Sequence, residues 1–318
     1  MTVVAYRGRF APSPTGSLHF GSLVAALGSY LDARSHHGQW LVRIEDLDPP
    51  REVPGAADEI LRTLDAFGFE WDGTVAYQST RLEAYQATLD DLLRERHAFG
   101  CACTRKEVAQ DGRSGPEGPI YPGTCRDRPR QGRKPRSIRL RTEGVTLAFN
   151  DRVRGTFSQA LESEVGDFVI RRADGLFAYQ LAVVVDDAWQ RITQVVRGAD
   201  LLASTPRQIH LQRLLRLPTP EYAHLPLVLD AQGRKLSKQQ ADLPVTRRQP
   251  LRALLEAYRF LGQPLPATAP GSLREFWDWA LGHWDLSRVV MHTGSPSPPR
   301  GGSAGSRVSD QSRSDAAR

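Results

Sequence analysis

A short apolar segment, a loop of proline, glycine and small hydroxylated residues, and a helix-period run of apolar residues open this 318-residue chain. Tyr6 to Phe10 reads as a strand. Ser22 to Arg34 reads as a helix, with Leu23, Val24, Leu27, Tyr30 and Leu31 at helical spacing, and Trp40 to Ile44 as a second strand. That order is a βαβ unit, which joins parallel strands through a right-handed crossover and predicts an α/β fold around a parallel sheet. Ligands bind such sheets at the carboxyl ends of the strands. The loop Arg9-Phe-Ala-Pro-Ser-Pro-Thr-Gly-Ser-Leu-His-Phe-Gly-Ser22 would lie there. N–H groups at the start of the following helix lack internal partners and carry partial positive charge, and Gly16 and Gly21 would let a ligand approach the main chain closely. The loop therefore suits a nucleotide phosphate, with His19 where negative charge would gather.

Ala56 to Phe67 and Arg81 to Arg96 carry helical patterns, and Cys101 to Arg141, rich in Gly, Pro, Arg and Cys, predicts an inserted subdomain. Asp167 to Arg171, Ala178 to Asp186 and Ile192 to Arg197 read as strands, and Pro206 to Leu215 as a helix with proline in its first turn. Together they predict a second half of the nucleotide-binding fold. Leu251 to Leu261 and Leu273 to Leu281 read as a small helical element. Gly294 to Arg318 has no aromatic residue and cannot bury enough surface to offset chain entropy, so it reads as a disordered tail. The expected division is 1–96, first half of the nucleotide-binding fold; 97–150, insertion; 151–240, second half; 241–292, helical element; 293–318, tail.

With 40% hydrophobic and 25% charged residues the composition is that of a soluble globular protein. No run approaches the roughly 18 to 20 apolar residues that cross a bilayer, and the N-terminus has no basic-then-apolar signal pattern. The expectation is a cytoplasmic protein, without membrane association and monomeric. A net charge of +6 leans towards a polyanionic partner, although part of the excess lies in the tail. Arg126 to Arg141 holds seven arginines and Lys134 against one aspartate, a run that can track a nucleic-acid backbone or simply be solvated.

Cys101, Cys103 and Cys125 are odd in number and close in sequence, which points to a metal rather than a disulfide framework. Three soft ligands suit tetrahedral zinc, and His97 is the chemically obvious fourth. A second loop, Asp230-Ala-Gln-Gly-Arg-Lys-Leu-Ser-Lys-Gln239, brings Lys235, Ser237 and Lys238 together after the apolar run Leu225 to Leu229. Such lysines can neutralise polyphosphate charge during displacement at phosphorus.

The two loops together resemble the signatures of class I aminoacyl-tRNA synthetases. His19-Phe-Gly-Ser22 stands for His-Ile-Gly-His, and Lys235-Leu-Ser-Lys-Gln239 for Lys-Met-Ser-Lys-Ser. Arg9-Phe-Ala-Pro-Ser-Pro-Thr-Gly, Arg43-Ile-Glu-Asp-Leu-Asp48 and His224-Leu-Pro-Leu-Val-Leu-Asp230 narrow the likeness to the glutamyl branch, over about residues 6 to 240. The resemblance implies a Rossmann-type parallel sheet with a zinc-binding insertion. It implies ATP contacts at Pro12, Gly16, His19, Gly21, Ser22, Lys235, Ser237 and Lys238, of which His19, Lys235 and Lys238 are catalytic. It places glutamate against Arg9, Ser13, Glu45, Tyr179 and Arg197, the last two at strand ends. For Glu45 the plainer alternative is a surface carboxylate paired with Arg43. In the same family the segment Tyr121-Pro-Gly-Thr-Cys125 supplies a tyrosine to the structural zinc, which favours Tyr121 over His97.

Residues 240–292 are too few for the separate anticodon-binding domain of an ordinary glutamyl enzyme, since domains begin at about 50 residues and usually run larger. The chain thus resembles the truncated paralogues that activate glutamate without tRNA and attach it to the queuosine base of tRNA(Asp). The implied partners are glutamate, ATP with magnesium bridging its phosphates, and queuosine-bearing tRNA(Asp). A truncated enzyme charging the tRNA 3′ end and a non-catalytic tRNA- or amino-acid-binding paralogue remain the alternatives.

Overall fold

The computed structural model describes residues 5–128, 132–228 and 245–289. The βαβ unit forms as expected: strand β1 (Arg7–Phe10), helix α1 (Phe20–Ser35) and strand β2 (Gln39–Ile44), with β1 and β2 parallel. Helix α1 packs closely against the sheet because residue 28 is glycine; a Cβ there would stand 2.6 Å from Leu225. Helix α2 (Ala56–Ala66) buries Ile60, Thr63 and Leu64 on one stripe and leads to strand β3 (Ala76–Tyr77), parallel to β2, and then to helix α3 (Leu82–Arg94).

The insertion begins with strand β4 (Ala98–Cys101) and helix α4 (Arg105–Asp111), whose start is secured by a reciprocal pair of hydrogen bonds between Thr104 and Glu107. A two-stranded ribbon, β5 (Ser114–Gly115) and β6 (Gly118–Pro119), precedes strand β7 (Ser137–Leu140). Much of the basic run from 126 to 141 is engaged internally: Arg126 binds Asp167 and Glu162, Arg133 binds Glu107, Arg139 lies over the Tyr121 ring, and Arg141 binds Asp127. These four side chains tie the insertion together, so the run is not a uniform basic face. Strand β8 (Thr146–Asp151) pairs antiparallel with β9 (Gly155–Ala160), and the short helix α5 (Leu161–Glu164) follows. Strand β10 (Phe168–Arg171) forms where expected, but it joins an antiparallel sheet in the order β10-β7-β4 and not the parallel sheet.

The segment Ala178 to Asp186, expected to be a strand, is instead part of helix α6 (Tyr179–Trp189). Its Leu-Ala-Val-Val-Val run has strand-like composition, but Leu181, Ala182, Val183, Val184, Asp186 and Asp187 are buried on several sides of the helix, which erases the one-sided periodicity that marks a surface helix. Tyr179 therefore stands in the first turn of a helix and not at a strand end. Strand β11 (Gln194–Gly198), helix α7 (Thr205–Leu214) and strand β12 (Glu221–Leu225) complete the second half, in which β11 and β12 are parallel and β12 also pairs with β8. Thr193 donates its N–H to the carbonyl of Arg7 at 2.9 Å, which brings β11 alongside β1. The crevice between these two strands is the switch point at which parallel sheets bind ligands.

Helices α8 (Pro250–Phe260) and α9 (Leu273–His283) pack Leu254, Tyr258 and Phe276 onto the core of α1, β1 and β2. None of the described helices is long and apolar enough to cross a membrane.

Candidate active site

A cleft of about 710 Å³ opens at the carboxyl ends of β1, β2 and β11. Arg9, Pro12, Ser13, Gly16, His19, Gly21, Ser22, Glu45, Tyr179 and Arg197 all line it. Lys235, Ser237 and Lys238 lie outside the described residues.

The loop after β1 is pinned at both ends, because the Pro12 carbonyl accepts the Glu45 N–H and the Pro14 carbonyl accepts that of Val53. His19 caps α1: its Nδ1 accepts the Ser22 N–H at 3.2 Å, and its Nε2 lies 2.9 Å from the Ser22 hydroxyl. An acceptor at Nδ1 places the ring proton on Nε2, so the neutral ring donates to Ser22. A Cβ at Gly21 would stand 3.3 Å from this ring, tighter than an ordinary contact. The imidazole and the serine hydroxyl thus form one polar surface at the positive end of α1.

Deeper in the cleft lies a buried charge cluster. Asp187 of α6 receives Arg9 Nε at 3.2 Å and Arg43 Nη1 at 2.8 Å, and Arg43 Nη2 reaches Glu45 at 3.1 Å. Burial opposes ionisation of Asp187, yet Arg9 and Arg43 hold its carboxyl below the usual range. Burial raises Glu45, and Arg43 and Arg9 offset this only in part. The pairing of Glu45 with Arg43 exists, but in the interior and not at the surface.

Arg197 of β11 is 5% exposed. Its partners are all uncharged: Nε donates to His224 Nε2 at 3.1 Å, Nη1 to the Tyr179 hydroxyl at 3.3 Å, and Nη2 to the Thr205 hydroxyl at 2.8 Å and the Leu201 carbonyl at 3.4 Å. Among the described residues no carboxylate forms an ion pair with it. Burial raises the Tyr179 hydroxyl, which remains neutral beside the guanidinium.

Sequence reasoning missed Asp187, Asp151 and the role of His224. The Asp186-Asp187 pair inside an apolar run was the available signal, since buried carboxylates are seldom unpaired. His224 is fully buried, with Nδ1 2.6 Å from Asp151 Oδ2. Burial foremost, with Arg197 and Arg154 beside it, pushes the imidazole down to about 4 despite Asp151. Between its ordinary value of 6.5 and about 4 the unfolded chain binds a proton at His224 that the folded chain refuses, so stability falls as pH falls through that window. The urea midpoint of the wild-type protein should therefore drop more between about pH 7 and pH 5 than that of His224→Gln. Equal drops would refute the assignment.

Outside the cleft, the sulfurs of Cys101, Cys103 and Cys125 lie within 4.8 Å of one another, all buried. Cys103 and Cys125 are 3.7 Å apart, close to the roughly 3.8 Å edge of a tetrahedron with Zn–S bonds of about 2.3 Å. The Tyr121 hydroxyl lies 3.4 Å from Cys101 Sγ and 3.9 Å from Cys103 Sγ. His97 is 35% exposed and pairs with Glu95 at 3.3 Å. Burial pushes the Cys103 thiol up to about 11, so a bound cation would have to draw off its proton. The group could hold a metal.

The family model for class I tRNA synthetases (E and Q), catalytic domain, matches residues 5–255. The chain is 59% identical over 287 residues to the glutamyl-Q tRNA(Asp) synthetase of Dechloromonas aromatica, covering 89% of this chain and 95% of the relative. It is 55% identical to that of Chromobacterium violaceum, covering 91% and 97% of the two chains. Among solved structures, a glutamate tRNA ligase from Elizabethkingia meningosepticum in complex with its amino acid superposes with a TM-score of 0.75 at 27% identity. That match covers 90% of this chain and 66% of that one, so the solved ligase is the longer protein. A class I catalytic fold, a cleft at its switch point and relatives of this closeness have one reading: the chain belongs to the glutamyl-Q tRNA(Asp) synthetase family, within the glutamyl and glutaminyl branch of the class I synthetases.

Proposed function

We propose that this protein activates glutamate with ATP, without tRNA, and transfers the glutamyl group to the queuosine base of tRNA(Asp). Arg197 carries the reading: it lines the cleft, is 5% exposed and forms no ion pair with a carboxylate among the described residues. Glutamate supplies the carboxylate that this buried guanidinium lacks. Its side-chain carboxylate meets Arg197, with the Tyr179 hydroxyl beside it, and its ammonium group meets Glu45, whose ionisation burial otherwise discourages. Arg9 and Ser13 complete the amino-acid contacts.

The glutamate α-carboxylate oxygen then attacks the α-phosphorus of ATP, the bond to pyrophosphate breaks, and a mixed anhydride with AMP results. Pro12, Gly16 and Gly21 let the nucleotide lie close to the loop, and His19 acts through Ser22, whose hydroxyl it orients to donate to the phosphoryl oxygens as charge moves onto them. Lys235, Ser237 and Lys238 serve the leaving pyrophosphate, with magnesium arriving as the ATP counterion. In the second step a queuosine hydroxyl attacks the activated carbonyl carbon and AMP leaves. Cys101, Cys103, Cys125 and Tyr121 would hold a structural zinc, which joins β4 to the 121–125 segment and takes no part in the chemistry. Such a reaction belongs in the cytoplasm with the tRNA pool.

The test has two arms. Pure protein should exchange pyrophosphate into ATP only when glutamate is present and with no tRNA added. Labelled glutamate should then appear on queuosine-bearing tRNA(Asp), and not on queuosine-free tRNA(Asp) or tRNA(Glu). Labelling of tRNA(Glu) would identify a truncated charging enzyme instead, and absence of exchange would identify a binding paralogue.

A further inference from the structure

The cluster behind Arg197 has a consequence for specificity. Arg197 Nε can only donate, so His224 Nε2 must accept, and the imidazole proton sits on Nδ1, where Asp151 Oδ2 receives it at 2.6 Å. Asp151 Oδ1 meanwhile accepts the backbone N–H groups of Val153, Arg154 and His224 at 3.0, 2.8 and 3.1 Å. Neither Asp151 nor His224 lines the cleft.

We propose that Asp151 and His224 are positioning residues for glutamate selection: through a neutral acceptor they aim the Arg197 guanidinium into the cleft without cancelling its charge. A carboxylate at position 224 would orient the guanidinium equally well but would form the ion pair that the substrate is meant to complete. The imidazole orients and does not neutralise. Asp151 keeps it in the accepting tautomer while its own charge is taken up by three backbone donors and the ring. The inference rests on Arg197 being the contact for the glutamate side-chain carboxylate.

Asp151→Asn tests it. The amide oxygen still serves the three backbone donors, but the amide N–H now faces His224 Nδ1 and drives the ring proton to Nε2, against Arg197. In glutamate-dependent pyrophosphate exchange the KM for glutamate should rise roughly ten- to a hundred-fold, the KM for ATP should stay, and rejection of glutamine should weaken. Adding His224→Gln to that variant should not recover the loss, because the asparagine N–H draws the glutamine oxygen to itself and turns the glutamine NH2 onto Arg197. His224→Gln with Asp151 intact, which donates to Asp151 and offers its oxygen to Arg197, should keep the glutamate KM within a few-fold of wild type. An unchanged glutamate KM in Asp151→Asn, parallel rises in both KM values, or a His224→Gln protein as impaired as Asp151→Asn would each overturn the proposal. Should Asp151→Asn not fold, His224→Gln against His224→Leu carries the same test: the former should stay near wild type and the latter should not, and equal KM values would overturn it. A wild-type protein without exchange would instead refute the proposed function.

Discussion

Replacing Arg197 with methionine should abolish effective glutamate binding while changing the stability of the protein little. Arg197 is 5% exposed and has only neutral partners. Burying an ion costs several kcal/mol even after relaxation, and here no protein carboxylate offsets it. Methionine removes that cost and fills similar volume, against the loss of hydrogen bonds donated by a charged group and worth about 1.5–3 kcal/mol each, so the two largely cancel. Substrate binding has no such compensation. Truncating one partner of a buried charge pair costs about 2–5 kcal/mol, which is roughly thirty-fold to several thousand-fold in the KM for glutamate. The KM for ATP should stay, and glutamine should become a competitor of comparable strength.

Arg43 supplies the control. It is fully buried in the same cluster but is matched by Asp187 and Glu45. Arg43→Met strands Glu45 and leaves Asp187 to Arg9 alone, and should cost about 3–5 kcal/mol of stability. Urea midpoints of the two variants should therefore move apart, with Arg197→Met near wild type and Arg43→Met well below. If both fall together, Arg197 is a structural residue and the charge argument is wrong.

What the sequence could reveal follows from how local each feature is. The βαβ unit and the loop from Arg9 to Ser22 are consecutive in the chain, and helical period, turn residues and a capping histidine all appear within one window. The resemblance then collects residues from distant segments, and the ten glutamate- and nucleotide-assigned positions that fall among the described residues line one cleft. Helix α6 was misread because its all-round burial removes the one-sided stripe, and its valines favour a strand by composition alone. That error also hid Asp187, whose partner Arg9 lies 178 positions away. The Asp151–His224–Arg197 chain is likewise built from three strands that meet only in the folded sheet, so no spacing rule could announce it. The basic run from 126 to 141 shows the converse: composition suggested an exposed face, and the fold uses several of its arginines as internal ties.

Removing metal from the cysteine group should unfold the insertion and leave amino-acid activation intact. A structural zinc site contributes about 10–16 kcal/mol in small peptides, comparable to the whole stability of a typical domain at about 5–15 kcal/mol. The group clamps the end of β4 to the loop carrying Tyr121 and Cys125, in a small cluster of its own with Phe99 and Ala102 and apart from the main core. No residue from 97 to 141 lines the cleft, so glutamate-dependent exchange should persist. The protein as purified should contain one zinc per chain; Cys103→Ser should contain none and should lose amide protection across β4 and β7, with protection in α1 and β1 retained. Tyr121→Phe removes the hydroxyl near Cys101 and Cys103, which also accepts the Cys125 N–H at 2.8 Å, but keeps the ring beneath Arg139, so it should weaken metal retention and loosen the 121–125 segment by about 1–3 kcal/mol in the apo protein. His97→Ala should keep its zinc, because the imidazole is engaged by Glu95 at the surface. Zinc lost from His97→Ala and retained in Tyr121→Phe would move the fourth ligand to His97, and a Cys103→Ser protein with full metal content would remove the site altogether.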